Sequence, residues 1–352
     1  MKIENQKIVS TSMHMTGIAV IFVAVGVGLS TLVSIFDNRV DFFQLLLATL
    51  ILVCVGSVLF KSSKLGATDQ ASIFTAVGTT WLVVSLLGTI PYLLAGTFSR
   101  AGIGLPEVFV DSLFESVSGF TATGSTVFGV HNPIQSQSSG ILLYRQLTQW
   151  MGGMGIVVLV VSVLPSLRAS GLGLIDAEAP GAGVERIAPR VVQTAKKFWY
   201  IYASLTVLIT LGFFVFGMRP FDAVAHGLTT ASTGGFSTKD ASLGYWNSIT
   251  IEIVAMVGFL IAATNFTLHA RLIEKKRFDY VSDPEFKSFI GIIVLGVLII
   301  ALLLNGEGFS FGSSLRNASF NVVTLATSGG YGNALGSGEV GDFASWPGST
   351  QL

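Results

Sequence analysis

Seven stretches of the chain carry no charged side chain: Met15 to Phe36, Phe42 to Phe60, Ile73 to Gly96, Gln146 to Leu167, Phe198 to Met218, Ile253 to Leu268 and Ser288 to Gly306. An apolar helix of roughly 20 residues crosses the ~30 Å hydrocarbon layer of a bilayer, and each stretch is near that length. Charged types make up 11% of the 352 residues, against about 25% in a soluble domain, and the mean hydropathy is +0.71. A water-soluble fold is excluded, and the expected class is an all-α integral membrane protein. The first stretch is too long for a cleaved signal peptide and lacks a small-residue cleavage site, so a retained helix is expected. No soluble domain is expected before or after the spans.

Lys plus Arg and Asp plus Glu stand at 20 each, which leaves no basic footprint for nucleic acid. The single cysteine, Cys54, permits no internal disulfide, and His14, His131, His226 and His269 are scattered without ligand spacing. Membrane lipids are thus the first expected partner. Basic residues beside short loops stay cytoplasmic. With the N-terminus inside, 14 of the 20 basic residues fall on inner segments, and only Arg39, Arg100, Arg219, Lys239 and Arg316 fall outside, with Arg145 at the outer mouth of the fourth span. Arg145 is expected to pair with Glu115, because a bare cation at that depth would be costly and would repel a cation on its path. Asn265 and Gln149 are expected to hydrogen-bond between helices.

The outer connections after the third, fifth and seventh spans share a Gly-Thr-Ser cluster: Phe120 to Thr126, Ala231 to Thr238 and Ala326 to Gly332. Aligning Gly124, Gly235 and Gly330 places Asp111, Asp222 and Asn317 thirteen residues earlier, where helix N-caps are expected. About ten residues separate each cap from its cluster, half a membrane span. Irregular backbone is tolerated at membrane depth only inside protein or along a watery cavity. The expectation is a short helix entering from outside and a strand returning. Glycine opens backbone angles closed to other residues, so such a strand can turn its carbonyls inward, while Thr and Ser add hydroxyls without bulk. Carbonyl rings replace the hydration shell of a monovalent cation. No carboxylate lies in the clusters, which separates them from Ca2+ and Mg2+ cages. The expected ion is K+, the cheapest of the common small cations to dehydrate, and its expected ligands are Thr121, Ala122, Thr123 and Gly124; Ser232, Thr233, Gly234 and Gly235; and Thr327, Ser328, Gly329 and Gly330.

The chain resembles the Trk/Ktr/HKT superfamily of cation transporters, in particular its bacterial Trk branch. The resemblance is carried by Phe114-Glu115-Ser116, Ser118-Gly119-Phe120-Thr121-Ala122-Thr123-Gly124, Tyr144-Arg145-Gln146, Gln149-Trp150-Met151-Gly152-Gly153-Met154-Gly155, Glu178-Ala179-Pro180-Gly181, Pro189-Arg190, Gln193-Thr194-Ala195, Gly234-Gly235-Phe236-Ser237-Thr238 and Asp283-Pro284-Glu285-Phe286. It implies pseudo-repeats of helix, re-entrant pore loop and helix, potassium-channel-like, preceded by an extra N-terminal helix pair. Four such units surround one pore in the family.

The resemblance assigns 1-66 to the helix pair, 67-170 to the first pore unit, 171-272 to the second and 273-352 to an incomplete third, with the fourth absent. It also implies a bacterial inner-membrane location, a cytosolic nucleotide-binding regulatory subunit (TrkA-like), with Lys275-Lys276-Arg277 as a candidate docking run, and a homodimer when complete. An enzyme is not expected: there is no carboxylate pair in a cleft pattern, nucleophile elbow or phosphate loop. Gly26-Val27-Gly28 and Gly171-Leu172-Gly173 lack the strand and helix frame of a dinucleotide site, and Gly152, Gly153 and Gly155 are expected to serve helix packing. The leading expectation is a pore-forming subunit for potassium uptake. The alternatives are an ion-coupled secondary transporter, which would use inverted repeats and intramembrane acids, and a non-conducting truncated subunit.

Overall fold

The computed structural model describes residues 2–37, 40–64, 70–100, 102–153, 155, 187–336, 338–339 and 341–348. Among them every regular element is a helix, apart from one isolated bridge between Gly129 and Asn132. The chain divides into two compact units, Met1–Thr121 with Gln137–Trp199, and Ala122–Ser136 with Tyr200–Leu352.

In the first unit, α1 (Lys2–Ser34) packs on α2 (Phe42–Lys61) with backbones almost touching. A Cβ on Gly17 would lie 2.6 Å from the Phe60 nitrogen, and one on Gly56 would lie 2.8 Å from the Ile21 side chain. Lipid offers helices no hydrophobic drive to associate, so contact through small residues supplies the adhesion. Ser30, Thr31 and Ser34 are buried on α1 because each hydroxyl donates to the carbonyl four residues back. The apolar run Phe74–Ala95 holds α3 (Gln70–Leu87) and α4 (Ile90–Ala95), interrupted where Pro91 opens the second helix. Then come α5 (Leu105–Phe120) and α6, helical over 139–153.

A long helix, α7 (Ile187–Val215), leads into the second unit, which continues with α8 (Pro220–Ala231), α9 (Ile249–Ala262), α10 (Phe266–Lys275), α11 (Pro284–Gly306) and α12 (Phe311–Ala326). A small apolar core here joins Ala301 and Leu304 of α11 to Ala318 of α12 and to Trp346.

Five helices among the described residues are long and apolar enough to cross a membrane: Ile8–Ser34, Phe42–Lys61, Phe74–Ala95, Gln193–Val215 and Pro284–Gly306. The expected fourth span is helical as far as 153, and its remainder lies outside the described residues, as do Gly171-Leu172-Gly173 and Glu178-Ala179-Pro180-Gly181. The expected sixth span falls on two helices that are apolar and long enough only when taken together. It is no straight helix, for α9 and α10 meet at 89°. The 14 residues of α9 rise only ~21 Å, and then Asn265 starts a new helix by accepting the Thr267 N–H at 3.0 Å. Its amide also donates to Glu285 on α11 at 3.1 Å, an inter-element bond of the kind expected of it.

The three expected N-caps are corrected. Asp111, Asp222 and Asn317 all lie inside helices, whose caps are Gly104, Arg219 and Ser310. Proline at the first turn starts α5 and α8 early, and the Ser310 hydroxyl accepts the Ser313 N–H to start α12. The other ends fall where the repeat places them, at Phe120, Ala231 and Ala326.

Candidate functional site: three glycine-centred loops

Each of α5, α8 and α12 stops four residues before its aligned glycine, and the chain leaves all three in one conformation. The first residue out, Thr121, Ser232 or Thr327, turns its hydroxyl back to donate to the carbonyl of Val117, Leu228 or Val323, at 2.8, 3.1 and 2.8 Å. Each of these carbonyls also accepts the backbone N–H of the same residue, so the hydroxyl proton adds a second bond at the helix end. The next residue is left-handed in every loop: Ala122 at φ 52°, Thr233 at 52° and Ser328 at 59°. Two residues on, the glycines are left-handed too, Gly124 at 81°, Gly235 at 76° and Gly330 at 65°. A non-glycine residue rarely adopts this region, and the departure costs on the order of 1–3 kcal/mol. Three equivalent departures in three loops mark one imposed geometry.

In the second and third loops the intervening residues are buried: Ser232 and Gly234, then Thr327 and Gly329, while their left-handed neighbours are more open. These two loops also touch. A Cβ on Gly235 would fall 1.5 Å from the Gly329 carbonyl oxygen, and one on Gly329 would fall 2.5 Å from the Phe259 ring. The Tyr331 hydroxyl bonds with Thr229 of α8 at 2.5 Å, tying the third loop to the second short helix. Beyond the first cluster, Asp240 accepts the Ile134 N–H at 2.7 Å and so anchors backbone of the 122–136 segment. No cluster of three or more His, Cys, Asp or Glu able to hold a metal occurs among the described residues.

Behind α5, Arg145 and Glu115 form the expected pair at 2.5 Å, with side chains 1% and 0% exposed. Gly152 serves packing as expected: its Cβ would lie 2.0 Å from the Phe120 carbonyl oxygen at the end of α5. Sequence reasoning missed two polar side chains at the register of Glu115, nine residues before each aligned glycine: His226 and Asn321, like Glu115, are buried in their short helices. The repeat alignment could have found them, but their differing chemistry hides the equivalence.

Apolar helices joined to a thrice-repeated unit of short helix and left-handed glycine loop define a membrane protein built on an internal helix-loop repeat. The family model described as TrkH, cation transport protein, matches residues 41–332. The chain belongs to that family. It is 40% identical over 274 residues to the Trk system potassium uptake protein TrkH of Halomonas elongata, across 76% of this chain and 53% of that protein. Against TrkH of Escherichia coli K12 it is 37% identical over 286 residues, across 79% and 57%. TrkG of the same organism is 30% identical over 340 residues, across 95% and 66%. The crystal structure of the potassium transporter TrkH from Vibrio parahaemolyticus matches with a TM-score of 0.78 at 32% identity, covering 96% of this chain and 67% of that one. The chain spans about half the length of the curated TrkH relatives it matches.

Proposed function

We propose that this chain forms the ion path of a potassium uptake protein, with K+ held by backbone carbonyls of Thr121 to Gly124, Ser232 to Gly235 and Thr327 to Gly330. The repeated left-handed pattern at Ala122 and Gly124, Thr233 and Gly235, and Ser328 and Gly330 carries this reading. Alternating handedness turns successive peptide groups the same way, whereas a regular strand turns them to opposite sides. A row of carbonyls on one side is what a dehydrated monovalent cation needs. The short helices add to it, since each points its partly negative C-terminal end at its own loop.

In this reading the loops are re-entrant from the outer face, the N-terminus is cytoplasmic and the membrane is the bacterial inner membrane. Residues 1-66 form the extra helix pair, followed by pore units at 67-170, 171-272 and 273-352. The names of the relatives, Trk system potassium uptake proteins, support K+ as the ion and a multi-component system. A TrkA-like cytosolic nucleotide-binding subunit and a homodimeric assembly belong to the same proposal. Uptake tests it: this chain is continued with the part of E. coli TrkH beyond the matched region and produced in cells lacking potassium uptake systems. Growth at low K+, with K+ taken up in preference to Na+, is expected. Equal uptake of both ions from protein present in the membrane would overturn the reading.

A further inference from the structure

His226 lies wholly buried in α8, walled by the rings of Phe213, Trp246 and Tyr331 at 6.1, 5.1 and 5.7 Å. Its Nδ1 is 2.7 Å from the Asp222 backbone carbonyl, which can only accept, so Nδ1 carries a proton. Its Nε2 is 2.9 Å from the Ser237 hydroxyl, whose oxygen also accepts the Lys239 N–H at 3.1 Å. A neutral ring protonated at Nδ1 satisfies these bonds, with the Ser237 O–H donating to Nε2. The Asp222 side chain reaches the same stretch, accepting the Thr238 hydroxyl at 2.5 Å and pairing with Lys239 at 3.5 Å.

The third unit repeats the device with other side chains. Asn321, aligned with His226, donates to the Asn317 carbonyl four residues back at 3.0 Å and to Asn333 at 3.2 Å. Asn333, aligned with Thr238, donates to the Asn317 side chain at 2.9 Å, just as Thr238 donates to Asp222. Two units thus clamp the exit of the loop to the base of the short helix, in one register and with unlike residues. Packing alone would not reproduce such a polar pattern.

We propose that His226 is a positioning residue of the second loop, acting through Ser237 to hold the strand that carries Gly234 and Gly235, in the neutral form protonated at Nδ1. The proposal rests on the potassium reading for its purpose, and its test separates the two. The chain, continued as in the uptake test, is placed in lipid nanodiscs with 15N-labelled histidine and studied by NMR for the His226 tautomer and by hydrogen exchange at amides 234–238, in K+ and in Na+. The Nδ1–H tautomer is expected. His226→Leu and Ser237→Ala should each speed exchange at these amides roughly tenfold, with the double variant well short of the product of the two, because the shared His226–Ser237 bond is lost only once.

His226→Gln keeps an acceptor for Ser237 and should stay closer to the parent. An Nε2–H tautomer overturns the proposal. So does exchange within about twofold of the parent in Ser237→Ala, a smaller change that leaves α8 intact. Equal protection of the parent loop in K+ and Na+ would overturn the potassium reading, while the tautomer and the exchange rates still decide the role of His226.

Discussion

Gly235 of the second loop lies against the carbonyl oxygen of Gly329 in the third, so closely that a Cβ would sit 1.5 Å from that oxygen. Gly330, left-handed like Gly235, has nothing within 4 Å of its absent Cβ. The pair separates two reasons for a glycine. Gly330→Ala adds only the left-handed penalty, about 1–2 kcal/mol, whereas Gly235→Ala must also push two loops apart. In the continued chain, K+ over Na+ uptake per molecule in the membrane should fall more than tenfold for Gly235→Ala, and less for Gly330→Ala. Equal effects would show that contact between the loops does not matter.

Arg145 and Glu115 have side chains 1% and 0% exposed, so removing either partner strands a buried charge. Arg145→Met or Glu115→Met should cost about 3–5 kcal/mol, and the double variant less than either single change. Thermal unfolding in detergent checks the order. A double variant as unstable as the sum of the singles would show that the two charges act independently.

Gly152 of α6 and Gly155 make a graded test of packing. A Cβ on Gly152 would meet the Phe120 carbonyl at 2.0 Å, but one on Gly155 would meet Trp81 at an ordinary 3.5 Å. Gly152→Ala should lose about 1–3 kcal/mol through displacement of the end of α5, and Gly155→Ala should be near neutral. Folded yield by size-exclusion chromatography and the melting temperature report both.

Orientation is open to labelling. Val130, 94% exposed in the 122–136 segment, and Lys276, exposed past the end of α10, should lie on opposite sides of the membrane. With Cys54→Ala as background, an impermeant maleimide added to intact cells should modify Val130→Cys and spare Lys276→Cys. Reaction at Lys276→Cys from outside would reverse the proposed orientation.

Arg316 grips Glu252 through two hydrogen bonds, at 2.7 and 3.0 Å, and Asn247 through a third at 3.2 Å. Lysine cannot form this fork, so Arg316→Lys should lower stability by about 1–2 kcal/mol despite keeping the charge. Urea unfolding of the purified chain gives the comparison, and an unchanged midpoint would mean that charge alone holds α12 to α9.

Where information is local, the sequence by itself determined the outcome. The C-terminal ends of α5, α8 and α12 could be read from the aligned clusters, because a left-handed residue and a glycine stop a helix wherever it lies. The pairing of Arg145 with Glu115 was also legible, since a charge inside an apolar segment needs an opposite one nearby. The starts of the same helices were misplaced: Asp111, Asp222 and Asn317 look like caps, but Pro106, Pro220 and Ser310 begin the helices sooner. The bend after α9 escaped a reading of apolar length, because one side chain, Asn265, outweighs a run of hydrophobic neighbours by satisfying backbone groups. Only the tertiary structure decided that Gly235 faces Gly329, that Asp222 and Asn317 turn to the loop exits, and that His226 reaches Ser237. These relations depend on which groups are brought within 3 Å once water is gone, a matter of three-dimensional approach that no spacing along the chain encodes.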